Sequence, residues 1–461
     1  MFFLAYSCMA QSRLWLMPTI PSDTSIVREW KSNGYIVYTR QGTNQSISYH
    51  NNVSPVAQTA QIPSRLIIND FRIYGDMVFA GGTEVGTPYS KGILLCFPIS
   101  DLLGGGGTFK VLYLGGTTLD SVNSPRCSNE IGSGVYARAD AMGVKRLSVF
   151  HDGEVTRVAY IADDTVTSGG VPVGGRRIGY GDVEYAGNWG GGWFNYNKDA
   201  ENQFTDITVT DSHVVLVSHD CMYKRLEIVL HDKVGGYANT APIVTDIYYF
   251  TDHNVVGRVM VAAMEGNGFA VAYHYEKPGI GAGLAVKVFN VSAGVPSLQY
   301  SLEIPSAGFL STGSEMRDIR YVQSMGELWV LNDMVSPVTG MGGSYIYRVD
   351  MGNVYAGIYE ARYLSGCKLH SLDGITSGGY AVSGTTAGSL QVHVEQNAPA
   401  LMHCSSAEMV KGVPTSPVMH VYGRAICPIW LYKYQKTIEF TVNELPAVKQ
   451  CEQLKKGGVQ Q

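Results

Sequence analysis

Charge is scarce in this 461-residue chain: 16% of its residues are Asp, Glu, Lys or Arg, the net charge is −5, and no basic stripe interrupts the pattern. Phosphate backbones are held by clustered Lys and Arg that displace counterions, so nucleic acid is not an expected partner. Beyond the first ten residues, no run approaches the ~18 apolar residues of a spanning helix, and no transmembrane segment is expected. Eight cysteines, at positions 8, 96, 127, 221, 367, 404, 427 and 451, include no C-x-x-C pair. That removes zinc-ribbon, redox and haem-attachment spacings. Cys367, Cys404 and Cys427 are close enough along the chain for one disulfide, with buried thiols as the equal alternative. The sequence also holds no H-E-x-x-H, G-x-S-x-G, P-loop or EF-hand loop, and neither a metal nor a cofactor is expected.

What the chain does have is glycine and tyrosine, 54 and 29 residues, in a composition that is 45% hydrophobic. Helical periodicity is rarely sustained, so glycine turns between aromatic and β-branched strands point to an all-β protein. A unit of about fifty residues recurs. "INDFRIYGDMVFAGG" (68–82) leads to "KGILLCFPI" and "TFKVLYLGG", and the same order of strand, tight turn, strand, loop and two further strands returns from Phe204, Gly257 and Met316. More divergent copies begin near Lys145 and Cys367, and a further unit can be assembled from 26–41 with the C-terminal 430–445. Four short strands per repeat describe a propeller blade, and the expected fold is an all-β β-propeller of six or seven four-stranded blades, closed by N- and C-terminal strands. Two β-sandwiches are the competing architecture.

The expected organisation is a residual export signal or N-terminal segment over 1–23, the propeller over 24–445, and a polar tail over 446–461. The opening "MFFLAYSCMA" is apolar and ends in small residues like a secretory signal, though no Lys or Arg precedes it. Leu4 to Cys8 also resembles a lipoprotein box that would attach lipid to Cys8, and a buried first strand is the third reading. The expected location is periplasmic, cell-surface or extracellular. The repeats resemble those of secreted β-propellers and are similar to uncharacterised exported propellers of Gram-negative bacteria. No repeated WD dipeptide, kelch glycine pair or Asp-box accompanies them, so this resemblance implies a fold and an address but carries over no functional residue.

Three features carry candidate chemistry. Asp70, Asp206 and Asp318 each sit two residues into the first strand of a unit, and alternation puts Arg72, Thr208 and Arg320 on the same face. At a ring's axis such carboxylates could hold a hard cation or act as acid and base; the structural reading has them accepting backbone N–H bonds and pairing with arginine. Two carboxylates facing one open pocket would favour a glycan hydrolase or lyase, and carboxylates bonded to backbone would oppose it. The His-Asp steps at 151–152, 219–220 and 231–232 end strands; neighbours on a strand face opposite ways, so turn capping is the reading.

The third feature is "YAGNWGGGWFNYN" (185–197), preceded by "TSGGVPVGGRRIGYGD" (167–182). Trp189, Trp193, Phe194 and Tyr196 could stack on a sugar or pack against the next blade, and Arg176 and Arg177 could hold an anion, with 167–182 itself read as an inserted hairpin. The functional expectation is an exported, non-catalytic propeller binding a protein or glycan through loops on one face, and the alternative is a carbohydrate-active hydrolase or lyase using axial carboxylates.

Overall fold

The computed structural model describes residues 11–16, 24–31, 34–51, 58–84, 91–103, 110–113, 140–151, 156–168, 171–182, 193–194, 204–220, 225–233, 244–248, 253–279, 281–305, 315–335, 342–351, 359–365, 367–375, 379–386, 389–396, 416–421 and 427–431. After a first strand β1 (Gln11–Leu16), the chain lays down four-stranded antiparallel sheets one after another. The first is β2 (Thr24–Trp30), β3 (Gly34–Gln41), β4 (Asn44–Asn51) and β5 (Gln58–Ile62). The second is β6 (Leu66–Tyr74), β7 (Met77–Glu84), β8 (Lys91–Pro98) and β9 (Lys110–Tyr113), with a short helix α1 (Ile99–Leu103) before β9. The third is β10 (Asp140–His151), β11 (Thr156–Ser168), β12 (Val171–Asp182) and β13 (Trp193–Phe194), and the fourth is β14 (Phe204–Val209), β15 (His213–Asp220), β16 (Arg225–Asp232) and β17 (Val244–Tyr248).

The fifth sheet is β18 (Asn254–Ala263), β19 (Gly268–Lys277), β20 (Gly281–Ser292) and β21 (Val295–Pro305), and the sixth is β22 (Glu315–Val322), β23 (Glu327–Val335), β24 (Gly342–Asp350) and β25 (Tyr359–Ser365). The last four-stranded sheet combines β26 (Cys367–Ile375), β27 (Gly379–Thr386) and β28 (Ser389–Gln396) with β1, which pairs antiparallel to β28 from Gln11↔Gln396 to Leu16↔Gln391. A separate hairpin joins β29 (Ser416–Val421) to β30 (Cys427–Leu431).

Both faces of the middle strands are apolar because each sheet is sandwiched between two others. In β3, Tyr35, Ile36, Val37 and Tyr38 are all buried in succession, and β19 buries seven residues from Phe269 to Tyr275. The apolar clusters lie between sheets: Ile36 and Ile47 against Phe71 and Val78, Phe79 and Leu94 against Leu147 and Tyr160, Phe150 and Ile161 against Ile207 and Leu216. The series continues with Val217 and Ile228 against Val261 and Phe269, Ala272 and Val286 against Ile319 and Val330, and Trp329 and Leu331 against Leu369 and Leu372. At about 25 cal/mol per Å² of apolar area buried, these layers are the main favourable term in folding.

First strands meet their neighbours in chain order, β2 with β6, β6 with β10, and on through β14, β18 and β22 to β26, which touches β2. Hydrogen bonds cross that last junction, including Val27 N to Ser371 Oγ at 3.3 Å and Glu29 N to Asp373 Oδ2 at 2.7 Å. Two details correct the sequence reading. Residues 26–41 are completed by β4 and β5 rather than by C-terminal strands, because 44–62 continues the meander directly. Residues 167–182 are no inserted hairpin: 171–182 is the third strand of its sheet, pairing with β11 from Arg157↔Asp182 to Ser168↔Val171. Strand β1 falls within the segment 1–23 read as an export signal; residues 1–10, with Cys8, lie outside the described residues.

Candidate functional site

Each first strand runs along the axis on which the sheets converge, and in every one but β2 its alternation is interrupted, in β10 at two points. In β6 the pairing steps from Ile68↔Gly82 to Asp70↔Gly81, leaving Asn69 without a partner across the ladder. The same bulge leaves out Lys145 in β10, Thr205 in β14, Arg317 in β22 and His370 in β26. In β18 three residues, 257–259, stand opposite the single Tyr273. A bulge bends the strand and re-aims the extra side chain. Here all of these residues except Val259 line a single cavity, together with Ser25 and Ile26 of β2, whose pairing is unbroken. Gly257, at φ 71°, starts the widest bulge; a left-handed conformation costs a side-chain-bearing residue about 1–2 kcal/mol. Opposite the bulge in β6, a methyl on Gly82 would collide with the Ile67 carbonyl, so glycine there makes room for the bend.

In β6, β14 and β22 the residue after the bulge is an aspartate, and the three form a second layer. Asp70 Oδ2 accepts from Leu147 N at 3.2 Å, Asp206 Oδ2 from Val261 N at 3.0 Å, and Asp318 Oδ2 from Leu372 N at 3.1 Å. The donor in every case lies on the first strand of the next sheet, so these carboxylates tie neighbouring sheets together. Two residues further on, Arg72 Nη1 lies 3.2 Å from Asp70 and Arg320 Nη1 lies 3.1 Å from Asp318, as alternation predicts. Arg28 reaches from β2 to Asp70 at 3.1 Å and to Asp318 at 3.4 Å, and Arg146 Nη2 donates to the Arg317 carbonyl at 3.0 Å. The Arg28–Asp318 and Arg146–Arg317 contacts join strands that are not neighbours in the ring, and together with Arg28–Asp70 they floor the cavity with a charged plug. Phe71, Ile207 and Ile319 point away into the intersheet clusters.

Burial alone would raise the carboxyl of Asp70, but Arg72, Arg146 and Arg28 outweigh it and hold the group below the usual carboxylate range. Asp318 is likewise held well below that range, its burial overcome by Arg320 and Arg28. Groups so firmly ionised have no proton to give at neutral pH, whereas a general acid needs a raised pKa. Among the described residues, no cluster of His, Cys, Asp or Glu has the makings of a metal site.

The cavity encloses about 810 Å³. Arg28, Arg40, Lys145, Arg146, Arg258, Arg317 and Lys368 line it, against Asp70, Glu315 and Asp318. Seven cations therefore face three carboxylates. Burial first, and then Arg146 beside it, pushes the Arg258 guanidinium down to about 10. His370 is lowered to about 4 by burial, with Arg317 and Lys368 adding to the effect, so its ring is neutral at pH 7. Its Nδ1 accepts the Ser25 N–H at 3.1 Å, which puts the ring proton on Nε2.

Of the sequence candidates, the structure brings Asp70 and Asp318 to this cavity, with Asp206 buried beside it. Trp193 and Phe194 form β13, the outermost strand of the third sheet, three strands from the axis, and pair with Gly179 and Ile178 of β12. Arg176 and Arg177 lie on β12 opposite Asp163 and Ala162, two strands out. Trp189 and Tyr196 lie outside the described residues. Of the strand-ending histidines, His219 lines the cavity, while His231 is buried and its neighbour Asp232 exposed on the opposite face. Sequence reading missed Arg28, Lys145, Arg146, Arg258, Arg317 and His370. The available signal was position: Asn69, Thr205 and Arg317 each precede one of the three repeated aspartates.

With its serial four-stranded sheets and axial cavity, the chain has the fold of a β-propeller. The solved structures it is similar to include Kuenenia stuttgartiensis hydrazine synthase, at a TM-score of 0.52 and 9% identity over 82% of this chain and 96% of that one. Another is the β-propeller domain of the trilobed protease from Pyrococcus furiosus, at a TM-score of 0.43 and 8% identity over 81% and 95%. Likeness at such identity speaks to fold alone. No protein-family model matches the sequence, and no curated protein matches it either. Among the described residues, no helix is long and apolar enough to cross a membrane.

Proposed function

We propose that this protein is a non-catalytic binding propeller that takes a protein or glycan ligand at the axial cavity and the loops around its mouth. One observation carries the reading: the axial carboxylates are already committed. Of the three carboxylates that line the cavity, Asp70 and Asp318 each hold a backbone N–H of the next sheet and two arginines, and Glu315 is paired with Arg317 at 2.7 Å. A glycoside hydrolase divides its work between one protonated and one ionised carboxyl group, and neither Asp70 nor Asp318 is available as the acid. The apolar start of the chain supports export, with lipid attachment at Cys8 as its membrane-bound variant.

The test presents the purified chain to a glycan array and to immobilised protein extracts, while the same mixtures are assayed for new reducing ends and unsaturated sugars. Saturable binding without product is expected. Product formation that Asp70→Asn abolishes in a folded protein would overturn the reading in favour of the hydrolase or lyase.

A further inference from the structure

One arginine of the cavity stands near carboxylates without bonding to any of them. Among the described residues, the Arg258 guanidinium makes no hydrogen bond and no ion pair, although it stands half-buried in the cavity wall. Its neighbours are differently placed: Arg28 is shared between Asp70 and Asp318, Arg317 between Glu315 and Asp333, and Arg146 lies 3.8 Å from Asp206. A half-buried guanidinium that feels Asp206, Glu315 and Asp318 but bonds to none of them keeps its donors for a further acceptor. The bulge that begins at Gly257 fixes the backbone from which it projects.

We infer that the axial mouth is an oxyanion site, with Arg258 as its anchor and an acidic saccharide, a carboxylate-bearing sugar, as its ligand. The inference rests on the binding reading above and names the ligand class. Four observations converge on it. The lining carries more positive than negative groups although the whole chain is net negative, so the excess is local to the mouth. Between the cations stands the neutral His370, which offers Nε2–H to a sugar hydroxyl, while the Ser25, Thr205 and Ser371 hydroxyls donate to Ser383, the Val259 carbonyl and Asp318 and keep acceptor lone pairs for a ligand O–H. Only Ile26 and Ile68 are apolar among the described lining residues, which disfavours an aliphatic or aromatic ligand. The volume of about 810 Å³ falls inside the ~300–1,000 Å³ of small-molecule sites.

The shape selects between anionic polymers. Peptides are held along sheet edges or open grooves, where the backbone can pair. This site is a bowl, floored by Arg28 and Arg146, and it admits the end of a chain or a compact ring.

The experiment is titration calorimetry on the full chain with trigalacturonate, cellotriose, triglutamate and inorganic phosphate at low and high salt, with wild type, Arg258→Gln, Arg258→Lys and the surface control Arg65→Gln. Trigalacturonate is expected to bind, to weaken with salt, to lose about 10- to 100-fold in Arg258→Gln, and to recover partly in Arg258→Lys. Arg65, exposed and paired with Glu84, is expected to matter little. Thermal unfolding of each variant separates lost binding from lost folding. Equal binding of cellotriose, or indifference to Arg258→Gln, would overturn the anion inference and leave the binding reading standing. Triglutamate or phosphate binding without trigalacturonate would overturn the saccharide assignment, and no binding by any anion would overturn the site. Cleavage of trigalacturonate would overturn the non-catalytic reading while leaving the oxyanion site in place.

Discussion

Removal of the Asp318 carboxylate tests whether the axial plug holds the sheets together. Asp318 Oδ2 accepts from Leu372 N at 3.1 Å and lies 3.4 Å from Arg28, while Oδ1 accepts from Ile319 N at 3.1 Å and lies 3.1 Å from Arg320. Asp318→Ala leaves two buried N–H groups without an acceptor and two arginines short of a counter-charge. Breaking a buried pair from one side costs about 3–5 kcal/mol, and the orphaned N–H groups overlap with that figure rather than adding in full. At about 2 °C per kcal/mol for a large domain, the melting temperature should fall by about 6–10 °C. Asp318→Asn keeps an acceptor for Leu372 and loses only the charge, so it should fall between wild type and alanine.

The pH dependence supplies a sign. Because the folded-state pKa of Asp318 lies below the ordinary 3.8, its contribution is complete above that value and fades as pH drops through the folded pKa. The gap between wild type and Asp318→Asn, read by urea unfolding, should therefore be widest at pH 5 to 7 and narrow below pH 4. A gap under about 0.5 kcal/mol at pH 7, or one that does not narrow in acid, would refute the account of the plug.

Three further outcomes are expected. Arg258→Met should raise the melting temperature of the ligand-free protein by a few degrees while removing anion binding, because an unpaired cation gives way to an apolar chain of similar reach; calorimetry checks both. His274, lowered to about 4 by burial against the opposing bond to Asn332, takes up its proton later when folded than when unfolded. Stability should therefore fall between pH 6.5 and pH 4 by about 1.4 kcal/mol per unit for this residue, and urea titrations of His274→Gln should show a shallower slope. Deleting residues 1–16 removes β1 and bares the edge of β28, so the truncated chain should self-associate in light scattering at concentrations where the full chain does not.

The repeat was legible because its strands keep a period of two between glycine turns, and that period carried the reading from Asp70 to Arg72 and from Asp318 to Arg320 on one face. What alternation could not show is the layer where alternation stops. Asn69, Lys145, Thr205, Arg317 and His370 are each the extra residue of a bulge, and a strict inside-outside pattern assigns no direction to such a residue. The cavity's charge was hidden for a related reason: its cations come from separate strands, and a ring collects what a scan along the chain sees as isolated residues. The aromatic segment drew notice through composition, but composition does not report distance from the axis, and β13 is an outermost strand.

The single bulged residue in most of the first strands has a consequence for how such a protein can change. A substitution at Asn69, Thr205 or His370 alters what the mouth presents without shifting its strand's register, but it also removes a tie to the next sheet: Asn69 Nδ2 donates to the Val144 carbonyl, Thr205 Oγ1 donates to the Val259 carbonyl, and His370 Nδ1 accepts from Ser25 N. Each such position is a letter written on a seam, and rewriting it loosens the seam unless the new side chain keeps the bond. What the rim of this ring presents is thus coupled to how its sheets are stitched together.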